Sequence, residues 1–214
     1  MCILRLITVR RICSSMFLHF YFKKVSKKHM RSESNKVNFF RGVIPLIAFQ
    51  TFEDEQTLVV SNKNIYFSLN VLKRHVAYHF QMLSCISGVD LVSNMNRFVV
   101  VYELLSLTYN SRIRIKVFVD EKEKLRSICA LFINSNWWER EIWDMYGVYF
   151  DNHPDLRRIL TDYGFEGHPL RKDFPISGYV EVKYDENKKR IVVEPLELSQ
   201  ELRLFSFSSP WASQ

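Results

Sequence analysis

Residues 97–119 read RFVVVYELLSLTYNSRIRIKVFV, and this stretch decides the fold. Arg112, Arg114 and Lys116 alternate with Ile113, Ile115 and Val117. That period of two is the pattern of an antiparallel strand with one face buried. Residues 97–105 supply its partner, and Tyr109, Asn110 and Ser111 supply turn chemistry between the two. Upstream, residues 57–60 and 64–67 read as short strands around a turn at Ser61 and Asn62. Residues 70–83 read as a helix, with Leu72, Val76, Phe80 and Leu83 at helical spacing. Residues 85–92 form a further strand opening at Gly88, and residues 121–132 a helix burying Leu125, Ile128, Cys129 and Phe132. The pattern predicts an α+β class, with an antiparallel or mixed sheet, helices on one face and an extended C-terminal tail.

Composition divides the 214 residues into three zones. Residues 1–41 are a basic N-terminal extension, residues 42–150 the α+β domain, and residues 151–214 the tail. The extension holds ten of the 30 Lys and Arg and one acid, Glu33, so it carries +9 of the formal +7 and the remainder is −2. A body that close to neutral offers no basic face for nucleic acid. Met1 to Phe22 is rich in arginine, contains serine and lacks acids. That composition fits both an organellar targeting segment and a basic extension retained on the mature protein. Four alanines against many Phe, Ile, Lys and Asn fit an AT-rich organellar gene. No run of eighteen apolar residues is present to span a bilayer. Cys2, Cys13, Cys85 and Cys129 are scattered, which excludes a clustered zinc or iron–sulfur cage and argues against a disulfide framework.

Five of the six prolines fall in the tail, with little helical periodicity and few aliphatic residues. Residues 180–184 and 190–193 pair as a hairpin across 186–189, and aromatics (Tyr163, Phe165, Phe174, Tyr179, Phe205, Phe207, Trp211) punctuate the rest. Ordering such a segment costs about 1–2 kcal/mol per residue, more than its own burial returns. Its aromatic content therefore predicts a strap laid on a partner surface.

Residues 136–147, NWWEREIWDMYG, read as a short helix. Asn136 with Glu139 makes a capping-box start, Gly147 a left-handed stop, and Arg140 with Asp144 an i,i+4 pair. Glu139, Glu141 and Asp144 are the candidate acid/base groups. Neighbouring helix positions point the first two apart, and Arg140 neutralises them, so a docking helix is the stronger reading. His153, Asp155, Arg157 and Arg158, then His168, Arg171, Lys172 and Asp173, alternate charge with aromatics in the manner of a polar interface. No nucleophile elbow accompanies them. The rival from another class is a soluble hydrolase using Glu139 or Asp144 with His153. His75 and His79 have zinc-pair spacing but lack the intervening glutamate, and residues 164–167, GFEG, lack the lysine of a phosphate cradle.

The run Glu139-Arg-Glu-x-x-Asp144-Met-Tyr, then His153, then Arg157-x-Ile159-Leu160, resembles the signature of the 30 kDa subunit family of respiratory complex I. Residues 160–184 resemble the mitochondrial form almost residue for residue, as do residues 109–114 and the tail 205–211. The likeness extends over about 97–211, with a weaker reach to 42, and does not cover 1–41. It implies a non-catalytic structural subunit of the proton-translocating NADH:ubiquinone oxidoreductase, in the peripheral arm beside the 49 kDa subunit and the quinone module. It further implies the matrix side of the mitochondrial inner membrane. No cofactor or metal is implied on this chain, the FMN and iron–sulfur clusters lying on other subunits. Glu139, Arg140, Glu141, Asp144, His153, Arg157, Arg158, Arg171 and Lys172 become the expected partner contacts.

Overall fold

The computed structural model describes residues 40, 42–52, 55–197, 203 and 205. The N-terminal extension, apart from Phe40, and the tail aromatics Phe207 and Trp211 lie outside the described residues.

The hairpin of residues 97–119 forms the centre of the structure. Strands β1 (Leu46–Phe52), β2 (Glu55–Val60), β3 (Met82–Asp90), β4 (Phe98–Ser106) and β5 (Ser111–Val119) make one sheet in the order β1-β2-β5-β4-β3. All neighbours are antiparallel except β2 and β5, which run parallel, so the sheet is mixed. β4 and β5 pair without interruption from Phe98 against Val119 to Ser106 against Ser111. The alternation of β5 is realised: Ile113, Ile115, Val117 and Val119 are buried. β4 lies between two strands, and Phe98 to Tyr102 are all buried, as an interior strand with both faces covered requires. Register places Ile86, Tyr102, Ile115 and Leu58 in one row across four strands, all of them buried.

Helix α1 (Ile65–Arg74) follows a short 3-10 turn at Asn62–Asn64, and helix α2 (Ser135–Tyr146) precedes a pair of short strands' second member. That pair, β6 (Leu125–Arg126) and β7 (Phe150–Asp151), runs parallel. β8 (Val180–Asp185) and β9 (Arg190–Pro195) form a separate antiparallel ribbon, in line with the hairpin expected across 186–189. Among the described residues no helix is long and apolar enough to cross a membrane.

Three local expectations are corrected. Residues 64–67 are helical, because Ile65, Ser68, Leu69 and Leu72 make the buried stripe and the Ser68 hydroxyl donates back to the Asn64 carbonyl. The helix then stops at Arg74 rather than running on to Leu83. His75 turns extended, Val76 faces solvent, and Phe80 and Leu83 reach the core from a loop and from β3. Residues 121–132 are not a helix, although Leu125, Ile128 and Phe132 are buried as the spacing implied. Distant acceptors capture the donors an α-helix needs: Leu125 N–H bonds the Tyr149 carbonyl and Ser127 N–H the Asp151 carbonyl.

Gly88 of β3 sits under the Tyr146 ring at the end of α2, where an added Cβ would lie 2.6 Å from two ring carbons. The missing side chain sets how closely α2 approaches the sheet. Gly88→Ala should therefore destabilise the chain by about 1–3 kcal/mol through overpacking, read as a lower denaturant midpoint with an unchanged m-value.

Candidate functional site

Two charged groups of α2, Glu139 and Asp144, turn inward. Glu139 is fully buried, and its Oε2 accepts from Ser127 Oγ at 2.6 Å and from the Cys129 thiol at 3.4 Å, while its Oε1 accepts from Ile128 N–H at 2.8 Å. The capping-box expectation is thus corrected. The helix starts at Ser135 with Asn134 as its cap residue, and Glu139 braces the turn at 127–129 instead of reaching back to the helix start. Burial raises the Glu139 pKa above the ordinary value, although the Ser127, Ile128 and Cys129 hydrogen bonds and His153 pull the other way.

Asp144 is also fully buried, and it holds the chain beyond residue 157. Its Oδ2 accepts the backbone N–H groups of Ile159, Leu160 and Thr161 at 3.2, 2.9 and 3.0 Å. Its Oδ1 takes the Thr161 hydroxyl at 2.8 Å and Arg158 Nη1 at 3.1 Å. Burial pushes this carboxyl up, but the hydrogen bonds outweigh it and its pKa is lowered overall. The expected pair of Arg140 with Asp144 is not formed. Arg140 donates to the carbonyls of Arg157 and Arg158 at 3.0 and 3.2 Å, because the strap lies beside the helix and presents those acceptors.

The helix ends as the sequence indicated, with Gly147 left-handed at φ 80°. The last carbonyls of α2 are then taken by the strap. His168 Nδ1 meets the Asp144 carbonyl at 2.9 Å, Leu170 N–H bonds Met145 at 3.2 Å, and Arg171 Nε bonds Tyr146 at 2.6 Å. A cation at this end also suits the helix dipole. A Cβ on Gly147 would come within 2.5 Å of Arg171 Nη2 and 2.7 Å of His168 Nε2, so glycine is required here twice over. Further on, Asp90 accepts Lys172 N–H at 2.8 Å and both Arg97 nitrogens at 2.8 and 2.9 Å, and Arg97 continues to Asp173. The Arg97 bonds, working against burial, hold the Asp90 carboxyl below its usual range.

Of the nine residues singled out in the sequence, Glu139, Arg140, Asp144, His153, Arg158 and Arg171 are engaged within the chain. Arg157 is exposed, and among the described residues its side chain pairs with exposed Asp155 at 2.9 Å. Glu141 is half-buried, and Lys172 takes part through its backbone. The sequence reading missed Asp90, Arg97 and Ser127 as anchors, and it gave His168 to a polar interface where the structure has it on the end of α2. The one signal for the first two was a carboxylate and a guanidinium bracketing the β3–β4 loop.

Cys129, Glu139 and His153 place ligand-type atoms within 4.8 Å of one another. They are already committed. His153 Nδ1 accepts the Asp155 N–H at 3.1 Å, which leaves the proton on Nε2, facing the Asn136 carbonyl at 3.2 Å. His153 Nε2 is 3.9 Å from Glu139 Oε2, with both side chains fully buried.

A family model described as the respiratory-chain NADH dehydrogenase 30 Kd subunit matches residues 58–180. NADH-ubiquinone oxidoreductase subunit 9 of Reclinomonas americana is 56% identical over 157 residues, 73% of this chain and 77% of that one. NADH dehydrogenase (ubiquinone) iron–sulfur protein 3 of Arabidopsis thaliana is 61% identical over 140 residues, 65% of this chain and 74% of that one. In shape the chain is similar to a chain from an archaeal respiratory membrane complex, the membrane-bound sulfane sulfur reductase. The TM-score is 0.58 at 20% identity over 76% of this chain and 99% of that one, a likeness of fold.

The two buried carboxylates should titrate with opposite effects. Asp144 stabilises the fold in its ionised form, so its contribution is complete above the unfolded carboxylate pKa of about 4 and is lost as pH falls through its lower folded value. Glu139, raised in the folded state, loses the fold stability as pH rises from about 4 through its folded value. Asp144→Asn should cost about 2–3 kcal/mol at neutral pH and flatten the acid side of a denaturant-midpoint profile. Glu139→Gln should remove the opposing fall, steepening that side.

Proposed function

The chain belongs to the family of the 30 kDa subunit of respiratory-chain NADH dehydrogenase, and we propose that within the proton-translocating NADH:ubiquinone oxidoreductase it serves as an assembly subunit without catalytic groups of its own. Its place in this reading is the peripheral arm, on the matrix side of the mitochondrial inner membrane, against the 49 kDa subunit and the quinone module. It binds no flavin and no iron–sulfur cluster, those cofactors belonging to other subunits. Some relatives are called iron–sulfur proteins. Here the four cysteines are scattered, and Cys129 is hydrogen-bonded to Glu139 with its pKa raised chiefly by burial, the reverse of a thiolate ligand.

The observation that carries the reading is the β8–β9 ribbon. Register sets Val180 opposite Pro195, Val182 opposite Val193 and Tyr184 opposite Ile191, which gathers six apolar residues on one face. The five of these that are not proline are 52–69% exposed. The other face carries Glu181, Lys183, Asp185, Arg190 and Glu194 with Val192 among them, and Lys183 is paired to Glu194. A two-stranded ribbon is marginal alone in water, and one with its apolar face outward needs a covering surface. The hydrolase alternative has no such support, since Glu139, Asp144 and His153 are internally bonded.

The test is made on the native membrane. The chain should co-migrate with NADH–quinone reductase activity, and recovery only as a free monomer would overturn the proposal. Val182→Lys, on the open ribbon face, should lower the yield of assembled complex several-fold while leaving turnover per complex and the melting of the isolated chain unchanged. Full assembly with reduced turnover would count against a scaffold role.

A further inference from the structure

A second exposed apolar surface lies at one end of the sheet, separate in sequence from the strap and the ribbon. The β4–β5 turn, residues 107–110, presents Leu107 and Tyr109, which are 70% and 52% exposed. The loop after α1 brings Val76, 81% exposed, beside them, and the Tyr109 hydroxyl donates to the Val76 carbonyl at 2.8 Å. Met82, 45% exposed, opens β3 opposite Leu105, two residues before Leu107. Three segments therefore meet at this end of the sheet, each with exposed apolar side chains.

The two segments that carry this cluster have charge of one sign, and the acids nearest to them, Glu55 and Glu103, are taken up by Arg114. Residues 72–83 and 104–113 contain Lys73, Arg74 and Arg112 and no Asp or Glu. Lys73 is turned away, to the Leu131 carbonyl and over the Phe132 ring. Arg74 and Arg112 are exposed, and among the described residues neither has a carboxylate within 4.0 Å. Arg114, one turn of the pleat further along β5, contrasts with them, being paired with both Glu55 and Glu103.

We propose that Val76, Met82, Leu107 and Tyr109, flanked by Arg74 and Arg112, form a docking surface for an apolar segment of a neighbouring subunit that carries carboxylates opposite the two arginines. Charge complementarity selects that occupant: exposed guanidinium groups with no carboxylate partner among the described residues, beside exposed apolar side chains, favour an acidic protein partner and repel a basic one. A lipid surface is the poorer fit. Two cations hold a protein only weakly to anionic headgroups, and an interfacial tyrosine keeps its hydroxyl toward water, whereas here it is spent on Val76. The inference rests on the chain being an assembly subunit and adds a second contact, independent of the ribbon.

The experiment uses the assembled complex. With p-benzoylphenylalanine at position 107, ultraviolet cross-linking should join this chain to a peptide of another subunit containing Asp or Glu. Arg74→Glu with Arg112→Glu should lower that cross-link about tenfold, and Lys at the partner carboxylate should restore it. The isolated full chain carrying both substitutions should melt like the parent, because both sites are exposed. Cross-links only to phospholipid, only within this chain, or to a peptide without acids would overturn the proposal, as would a cross-link indifferent to the charge reversal. Any of these with NADH–quinone activity still co-migrating defeats the docking surface alone. Loss of co-migration by the parent chain defeats the assembly reading as well.

Discussion

Asp144 is a fully buried carboxylate on a short helix, and five donors surround it: three consecutive backbone N–H groups, one hydroxyl and one guanidinium. A charge buried without partners is too costly to keep, so this one dictates where the chain beyond residue 157 must run. The backbone at 159–161 has no ladder of its own to satisfy it. The carboxylate supplies what a strand or helix would otherwise provide. From there the strap turns back under the helix end, and His168, Leu170 and Arg171 take the carbonyls that α2 leaves open. The same helix is thus read at both ends of one segment, by its side chain and by its backbone.

This arrangement depends on the sheet below it. β3 admits α2 because Gly88 carries no side chain under Tyr146, and β3 ends in Asp90, whose carboxylate receives the strap again at Lys172. Arg97 links that carboxylate to Asp173 and lies over the Phe98 ring, joining strap, loop and core in one polar seam. The composition of the tail, proline-rich and short of aliphatics, called for a surface to lie on. Through Asp173 much of that surface is the chain's own sheet and helix, and the ribbon beyond it leaves its apolar face open.

The candidate site was legible in the sequence as a set of residues and illegible as a geometry. Glu139, Asp144, His153, Arg158 and Arg171 stood out because charged groups at such density among aromatics are unusual. Spacing along a helix indicates which groups share a face. It does not say whether that face meets solvent, a partner or the protein's own backbone. Arg140 and Asp144 are correctly placed for an i,i+4 pair, yet each bonds the strap instead, Arg140 through two carbonyls and Asp144 through five donors. In water such a pair is worth only a few tenths of a kcal/mol, less than a charge-assisted bond to a buried acceptor.

Local pattern determined the alternating strand at 112–119, its hairpin with the strand before it, the left-handed stop at Gly147, the ribbon near 180–193 and the mixed α+β class, because each follows from side-chain periodicity or from a backbone angle open to glycine. Tertiary structure decided the rest. It chose a turn and a two-residue strand over a helix at 121–132, ended α1 at Arg74, and turned six of the nine signature residues inward. The physical reason is the same in each instance. Apolar spacing of three and four residues buries equally well from a helix or an irregular segment, so the outcome passes to the backbone donors, and their acceptors (Tyr149, Asp151 and the Glu139 and Asp144 carboxylates) are remote in sequence.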